Sequence, residues 1–187
     1  MDWSAGFPAY GESHLFIAPN SEHSLTTGIP EVLDAVTVFF ASVAAGETAD
    51  ERPSFSWERD AASGDITVTV PAGKPPPTKA VLRHAQTLSS KRRDFRWVRL
   101  ADNTTEPCRL PGVSIPPQEG GGNCLQPMIW LGKTLKPEPA RDGDLSATVF
   151  KAKPPTPLPG HWVGYYVELY FGHGSLAVHD DYAFTTG

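Results

Sequence analysis

The sequence has few cysteines, no surplus of positive charge and no long apolar run. Its 187 residues include 2 cysteines, and 16 basic residues stand against 21 acidic ones. Nucleic acids and anionic membranes are bound through concentrated positive charge, so a net charge of −5 predicts neither as a partner. No stretch approaches the roughly 20 apolar residues of a membrane-spanning helix. The first residues also lack the basic and apolar regions of a signal peptide, so we expect no membrane span and no export signal in this chain.

The scarcity of cysteine also bears on cofactors. Cys108 and Cys124 lie in one Gly/Pro-rich stretch, where a disulfide would close a loop with a gain in entropy and two free thiols are the alternative. The sequence leaves both states open. Two cysteines alone cannot form a structural zinc site, and His173, His179 and Asp180 lie in a segment typical of turns. We therefore predict no metal and no other cofactor.

The N-terminal part of the sequence predicts a short buried strand, a loop and an amphipathic helix. Residues 15–18 are a continuous apolar run, typical of a strand that is buried on both faces. Apolar residues then recur at the spacing of one helix face, with Pro30 suited to the first turn and Gly46 to the position after the last. This apolar stripe consists of Ile29, Val32, Leu33, Val36, Phe40 and Val43. We expect the stripe to be buried against β-structure, and residues 1–48 to form a first domain.

From about residue 53 the apolar period changes to two, which is the spacing of half-buried strands. The alternating faces are Ile66, Val68 and Val70; Leu145, Ala147 and Val149; and Val163, Tyr165, Val167, Leu169 and Phe171. Further strands are predicted at residues 54–57, 80–85, 95–100, 128–132 and 182–185. Short strands in this number, separated by Pro- and Gly-rich turns, favour a two-sheet sandwich of the immunoglobulin or fibronectin III kind over residues 53–187, with a barrel as the alternative.

The longest alternating face predicts its own register. We expect its five apolar residues to point into the core and Glu168 to point out to solvent, because a slip of one residue would exchange the two faces. The tryptophans at positions 57, 97, 130 and 162 lie one to a strand or strand edge, and we expect them to pack in the core. The alternative is a carbohydrate-binding platform, which requires at least two rings exposed on one face.

His23 is the candidate site residue. It lies in a loop between the predicted buried strand and the helix, which is where α/β-hydrolases carry the histidine of their catalytic triad. Three separated segments around and beyond it, residues 18–25 (APNSEHSL, followed by Phe39-Phe40), 93–96 (RDFR) and 160–168 (GHW leading to YYVE), resemble the family of PhoPQ-activated pathogenicity-related proteins. The resemblance spans about residues 12–187 and is to the C-terminal third of such a protein.

This resemblance implies an α/β-hydrolase C-terminal remnant followed by a β-sandwich, in a protein that is secreted and whose substrate is undefined. The sequence has no G-x-S-x-G segment and no acid-bearing strand ahead of His23. Without nucleophile and acid, His23 is expected to be a vestigial triad position and the chain to be inactive by itself. The implied partner is the missing N-terminal hydrolase portion. The alternative is that the sandwich alone functions, as a carbohydrate- or protein-binding module of a secreted protein.

Overall fold

The computed structural model describes one helix and twelve strands. The described residues are 14–21, 25–88, 90–91, 93–95, 98–100, 109–110, 113–114, 123–125, 128–139, 147–172 and 181–185. Their helix is α1 (Ile29–Ala44), and their strands are β1 (Ser56–Arg59), β2 (Ile66–Val70), β3 (Lys79–Gln86), β4 (Val98–Leu100), β5 (Arg109–Leu110), β6 (Val113–Ser114), β7 (Asn123–Leu125), β8 (Leu131–Leu135), β9 (Pro137–Pro139), β10 (Thr148–Ala152), β11 (Val163–Gly172) and β12 (Asp181–Thr185).

The helix forms where the sequence predicts it. Pro30 lies in the first turn, where its missing N–H removes no hydrogen bond, and Gly46 follows the helix with a φ of 79°, which glycine adopts without strain. The strand predicted at residues 15–18 is not formed, because no strand among the described residues pairs with this segment. The strand-loop-helix unit is therefore confirmed in its helix and wrong in its strand.

The strands form two four-stranded antiparallel sheets. Sheet A has the order β1-β2-β10-β9 and sheet B the order β12-β11-β3-β8, while β4 pairs with β7 and β5 with β6 in two small ribbons. The prediction of a β-rich fold with two antiparallel sheets is confirmed. Cys108 lies outside the described residues, so the state of the two cysteines stays open. Among the described residues, no helix has the length and apolar character needed to cross a membrane.

Both sheets contribute to one hydrophobic core. Its buried members are Ile66, Val68, Val70, Ala80, Leu82, Phe150, Ala152, Val167, Leu169 and Phe171. Residues from β2 and β10 of sheet A thereby lie against residues from β3 and β11 of sheet B. The predicted inward face of β2 is confirmed, since burial alternates along that strand. The core also receives Ala35 and Val38 of α1, so the helix packs on the β-structure.

The apolar face predicted for β10 is wrong, because the opposite face of the strand is the buried one. The sequence predicts that Leu145, Ala147 and Val149 share one face, and Leu145 lies outside the described residues. The buried residues are instead Phe150 and Ala152, which pair with Val68 and Ile66 of β2. The strand begins three residues later than predicted, at Thr148. Burial of the phenyl ring of Phe150 removes more apolar area from water than burial of Val149, so it determines which face points inward.

The register predicted for β11 is right, but the prediction for its other face is wrong. Val167, Leu169 and Phe171 are buried in the core, and Tyr165 packs against it. Glu168 points to the opposite face as expected, yet it is only 1% exposed. The outer face of sheet B is thus covered at Glu168 rather than solvated.

The apolar stripe of α1 is exposed, contrary to prediction. The opposite side of the helix, with Ala35 and Val38, packs on the core, and Ser42 is its buried polar residue. The exposed stripe consists of five of the six predicted residues, Ile29, Leu33, Val36, Phe40 and Val43, whereas Val32 is half-buried. The prediction failed because apolar spacing tells which side chains share a helix face and not which face the β-structure covers.

Candidate functional site

The loop that carries His23 is described on both sides of that residue, at 20–21 and 25–28. His23 itself, with Glu22 and Ser24, lies outside the described residues, so its role stays a prediction. The described ends show how the loop is held. Asn20 of these ends contacts a polar and aromatic surface on the outer face of sheet B, which was not predicted from the sequence.

The two ends of the histidine loop close on each other. The Thr27 hydroxyl donates a hydrogen bond across the loop to the Asn20 carbonyl oxygen at 3.0 Å. Within the C-terminal end, the Gly28 N–H donates to the Leu25 carbonyl oxygen at 2.8 Å and forms a turn. Gly28 is buried so close to Ser21 that a Cβ on it would lie 2.2 Å from Ser21 Oγ. Only glycine allows this approach of the two ends.

Both ends of the loop contain a residue in the left-handed backbone region. Asn20 has a φ of 58° and Leu25 a φ of 57°. Asparagine tolerates this region, whereas leucine adopts it at a cost. Such backbone strain persists only where the surrounding contacts enforce it, and it concentrates at functional sites. The loop ends are therefore held by contacts rather than by local preference.

The Asn20 side chain provides such a contact, which we call the Asn20–Trp130 clamp. Asn20 Nδ2 donates a hydrogen bond to the Trp130 carbonyl oxygen at 3.2 Å, and the Trp130 N–H donates to Asn20 Oδ1 at 2.7 Å. The amide thus satisfies both backbone polar groups of a residue just ahead of β8, as a neighbouring strand would. The clamp ties the histidine loop to sheet B.

Aromatic rings cover the outer face of sheet B beside this clamp. The Trp130 ring lies 5.3 Å from the Tyr166 ring and 6.0 Å from the Phe95 ring, between centroids. A Cβ on Gly164 would lie 3.0 Å from atoms of both Phe95 and Trp130, so glycine makes room for the rings on the strand. These rings explain why residues on this face of β11 are shielded from water.

A buried ion pair lies on the same face. Arg83 Nε donates to Glu168 Oε2 at 2.6 Å, the Tyr170 hydroxyl donates to the same oxygen at 2.8 Å, and Arg83 Nη2 donates to the Tyr170 oxygen at 2.8 Å. The three side chains form a closed triangle that spans β3 and β11. Burial raises the pKa of Tyr170 to about 12, and its hydrogen bond to Glu168 adds to the shift. Glu168 is therefore compensated although it is removed from water.

Tyr166 has a buried hydroxyl without a hydrogen-bond partner among the described residues, as does Ser21. Burial is the first cause that raises the pKa of Tyr166, and the charge of Glu168 is the second. The phenol is thus neutral at physiological pH and able to donate a hydrogen bond. Unsatisfied buried hydroxyls are uncommon and mark places where water or another group completes the structure.

The contacts among the described residues of this region hold and orient the two ends of the histidine loop. Among the described residues no group of three or more His, Cys, Asp or Glu side chains could hold a metal ion. The sequence prediction missed Asn20, Arg83 and Glu168 as connected residues. The available signal was a carboxylate inside an otherwise apolar strand together with an arginine inside another strand, because buried charges require partners.

Two tryptophans lie closer to solvent than predicted. Trp57 on the edge strand β1 is 39% exposed and Trp162, just ahead of β11, is 37% exposed. Trp130 is half-buried, and Trp97 lies outside the described residues. The expectation that the tryptophans pack in the core is therefore wrong for Trp57 and Trp162.

The chain is thus β-rich, with one described helix and two antiparallel sheets. The histidine loop is attached to sheet B. Residues 8–96 match the family model of the PhoPQ-activated pathogenicity-related protein, which confirms the resemblance for this segment. It includes the histidine loop, α1 and β1 to β3. The Autocrine proliferation repressor protein A of Dictyostelium discoideum is 29% identical over 175 residues, or 91% of this chain. The chain spans 30% of the length of that relative. No solved structure matches the chain.

Proposed function

We propose that the chain is the C-terminal part of a PhoPQ-related, α/β-hydrolase-like protein and has no catalytic activity by itself. The family match includes the loop with His23, and the similar amoebal protein is much longer than this chain. The observation that carries the proposal is the exposed apolar stripe on α1. A hydrolase-like body would cover that stripe and supply the residues that His23 lacks.

The exposed stripe is too apolar for a free helix surface. Its five large side chains range from 45% exposed at Ile29 to 67% at Phe40. The opposite helix face already packs on the shared core through Ala35 and Val38. A helix that is apolar on both sides is buried on both sides, and contiguous exposed apolar surface marks an interaction site. In the whole protein, α1 would therefore lie between the sandwich and the hydrolase-like body.

The chemistry assigned to His23 depends on that body. In a triad, the histidine takes the proton from the serine nucleophile and later returns it, while an acid orients the imidazole ring. This chain has no G-x-S-x-G segment to provide the nucleophile. A histidine without its partners does not accelerate acyl transfer by this route, so activity requires the rest of the protein.

We further propose that the β-rich part is an immunoglobulin-like sandwich. With the two small ribbons set aside, the remaining strands in chain order can be labelled A, B, C, C′, D, E, F and G. In these strand letters, the sheet β1-β2-β10-β9 has the order A-B-E-D, and the sheet β12-β11-β3-β8 has the order G-F-C-C′. These are the sheet orders of immunoglobulin-type folds, and they support this fold over a barrel. The family resemblance supports secretion of the whole protein.

Ester hydrolysis tests the proposed function. The purified chain should show no turnover of p-nitrophenyl acetate above buffer. A chimera in which this chain replaces the matching region of the amoebal protein should hydrolyse the ester and lose activity in the His23→Ala variant. Glu22→Gln, a change at the adjacent ionisable residue, is the matched control and should retain activity. Turnover by the isolated chain that His23→Ala abolishes, or an inactive chimera that folds, would contradict the proposal.

A binding module is the second candidate, and the exposure of Trp57 and Trp162 is the observation in its favour. Trp57 belongs to sheet A and Trp162 precedes a strand of sheet B, so no single sheet carries both rings. Titration with oligosaccharides, followed by tryptophan fluorescence, tests this function. A saturable change that Trp57→Ala or Trp162→Ala removes would favour the module over the hydrolase part.

A further inference from the structure

We propose that the sandwich positions the histidine loop through the Asn20–Trp130 clamp, so that the N-terminal segment and the β-structure act as one unit. Asn20 is then a positioning residue for His23. The catalytic meaning of this role rests on the proposed function, whereas the mechanical coupling does not. The sandwich is then a support of the hydrolase-like site instead of a separate appended module.

The clamp requires asparagine at this position. Two hydrogen bonds join residues 110 positions apart in the chain, one with the side-chain amide as donor and one with it as acceptor. Aspartate would keep the acceptor and lose the donor, and alanine would lose both. The left-handed φ of 58° is also one that asparagine accepts more readily than other residues with a Cβ. Side chain and backbone of Asn20 therefore suit the same geometry.

The clamp is attached to a rigid surface. Trp130 packs between Tyr166 of β11 and Phe95, and Gly164 leaves space for both rings. Since β11 lies at the centre of sheet B between β12 and β3, this surface belongs to the most extensively paired part of the structure. A residue that is hydrogen-bonded to this surface is therefore restricted in its motion by the sheet.

A second attachment holds the segment after the loop. Ala35 and Val38 of α1 pack on the shared core, and the Arg52 guanidinium carbon lies 5.6 Å from the Phe39 ring centroid. The clamp ahead of the loop and the helix behind it thus both bind the sandwich. Since the Thr27 hydrogen bond to Asn20 and the close approach of Gly28 to Ser21 also join the two ends, the loop has its entry and exit determined by the β-structure.

Hydrogen exchange of the 187-residue chain tests the inference, with Asn20→Gly as the central variant. Glycine accepts the left-handed backbone, so this change removes the clamp without adding strain. We expect the protection of the Trp130 amide to fall roughly tenfold, and that of the Gly28 amide at the far end of the loop to fall with it. The amides of Val167 and Leu82 in the core strands should stay unchanged.

Leu25→Gly is the matched control, because it relieves the other left-handed residue of the loop and leaves the clamp intact. It should not lower the protection of the Trp130 amide. Full protection of the Trp130 and Gly28 amides in Asn20→Gly would overturn the inference, as would an equal loss in both variants. These readouts do not depend on hydrolysis, so failure of the coupling and failure of the proposed function are separate results.

Asn20→Asp adds a signature that mere destabilisation would not give. The ionised carboxylate accepts from the Trp130 N–H but cannot donate to the Trp130 carbonyl, whereas the protonated acid can do both. Protection factors, corrected for intrinsic exchange, should therefore rise toward the unsubstituted value as the pH falls through the titration of the introduced carboxyl group. A pH-independent loss of protection would contradict the clamp.

Discussion

Helix α1 and strand β11 both carry apolar residues on one side, but they use that side in opposite ways. In β11, the face with Val167 and Leu169 is buried in the core. On the other face, Glu168 is buried in its pair with Arg83, and the Tyr166 ring packs against Trp130. In α1, the side with the larger apolar residues is exposed, and the side with Ala35 packs on the core.

This difference separates two questions that periodicity treats as one. A period of two or of 3.6 residues tells which side chains share a face. It does not tell which structure covers that face. For β11 the covering rings come from distant positions such as Phe95 and Trp130, and for α1 the proposed cover is not part of this chain.

Val167→Asp should cause the largest loss of stability. Val167 is fully buried between the sheets, and an unpaired carboxylate there costs several kcal/mol, a large part of a domain's stability of about 5–15 kcal/mol. Urea unfolding followed by circular dichroism measures the change. Val36→Asp, on the exposed stripe of α1, is the control and should leave the unfolding midpoint nearly unchanged. Comparable losses for the two variants would show that the stripe is not a free surface in this chain.

Glu168→Gln should cause the second largest loss of stability. This loss should exceed that of a solvent-exposed glutamate, which is what the sequence predicts for Glu168. The change weakens the charge-assisted bond to Arg83 and leaves a guanidinium with incomplete compensation, which costs about 1–3 kcal/mol. The matched control is Glu138→Gln, which removes a carboxylate from the half-exposed pair with Lys151. An exposed pair contributes about 0–1 kcal/mol. Equal shifts of the unfolding midpoint would contradict the buried pair.

These two positions show how far the sequence determines the fold. The inward face of β11 and the bounds of α1 follow from local patterns, because apolar spacing, Pro30 and Gly46 act within a few residues. The burial of Glu168 does not, since its partner Arg83 is 85 positions away. The histidine loop is similar: its place before the helix is readable, whereas the clamp to Trp130 depends on tertiary structure. The β10 register failed because two adjacent apolar faces competed.

Tyr165→Phe should cost about 0.5–1.5 kcal/mol, the usual contribution of one hydrogen bond. The Tyr165 hydroxyl of sheet B donates to the Gly64 carbonyl oxygen in the β1–β2 turn of sheet A at 2.8 Å. Gly64 has a φ of 77°, and a Cβ on it would lie 2.7 Å from that hydroxyl. Thermal unfolding measures the loss. Gly64→Ala should cost more than Gly73→Ala, because both glycines have a φ of 77° but only a Cβ on Gly64 would meet the Tyr165 hydroxyl.

The tyrosines of the outer face predict a loss of stability at high pH. Burial raises the pKa of Tyr170 to about 12 and also raises that of Tyr166. Above about pH 10 the unfolded chain releases these protons while the folded chain retains them, so stability is fully present below that pH and falls as the pH rises toward about 12. Urea unfolding between about pH 9 and 11.5 measures this slope. Tyr170→Phe should reduce it; an unchanged slope in that variant and in Tyr166→Phe would contradict the shielded outer face.

The smallest effect on stability should come from the exposed stripe of α1, and here association is the informative measurement. Phe40 is 67% exposed, so Phe40→Ser should change the free energy of unfolding by no more than about 0.5 kcal/mol. Val38→Ser, on the face that packs on the core, should cost distinctly more because it removes buried apolar contacts. With its stripe uncovered, the isolated chain should self-associate as its concentration rises, and Phe40→Ser should weaken that association in sedimentation experiments. A larger loss of stability for Phe40→Ser than for Val38→Ser would reverse the assignment of the two helix faces. A chain that stays monomeric at all concentrations would remove association as evidence that the stripe is an interface.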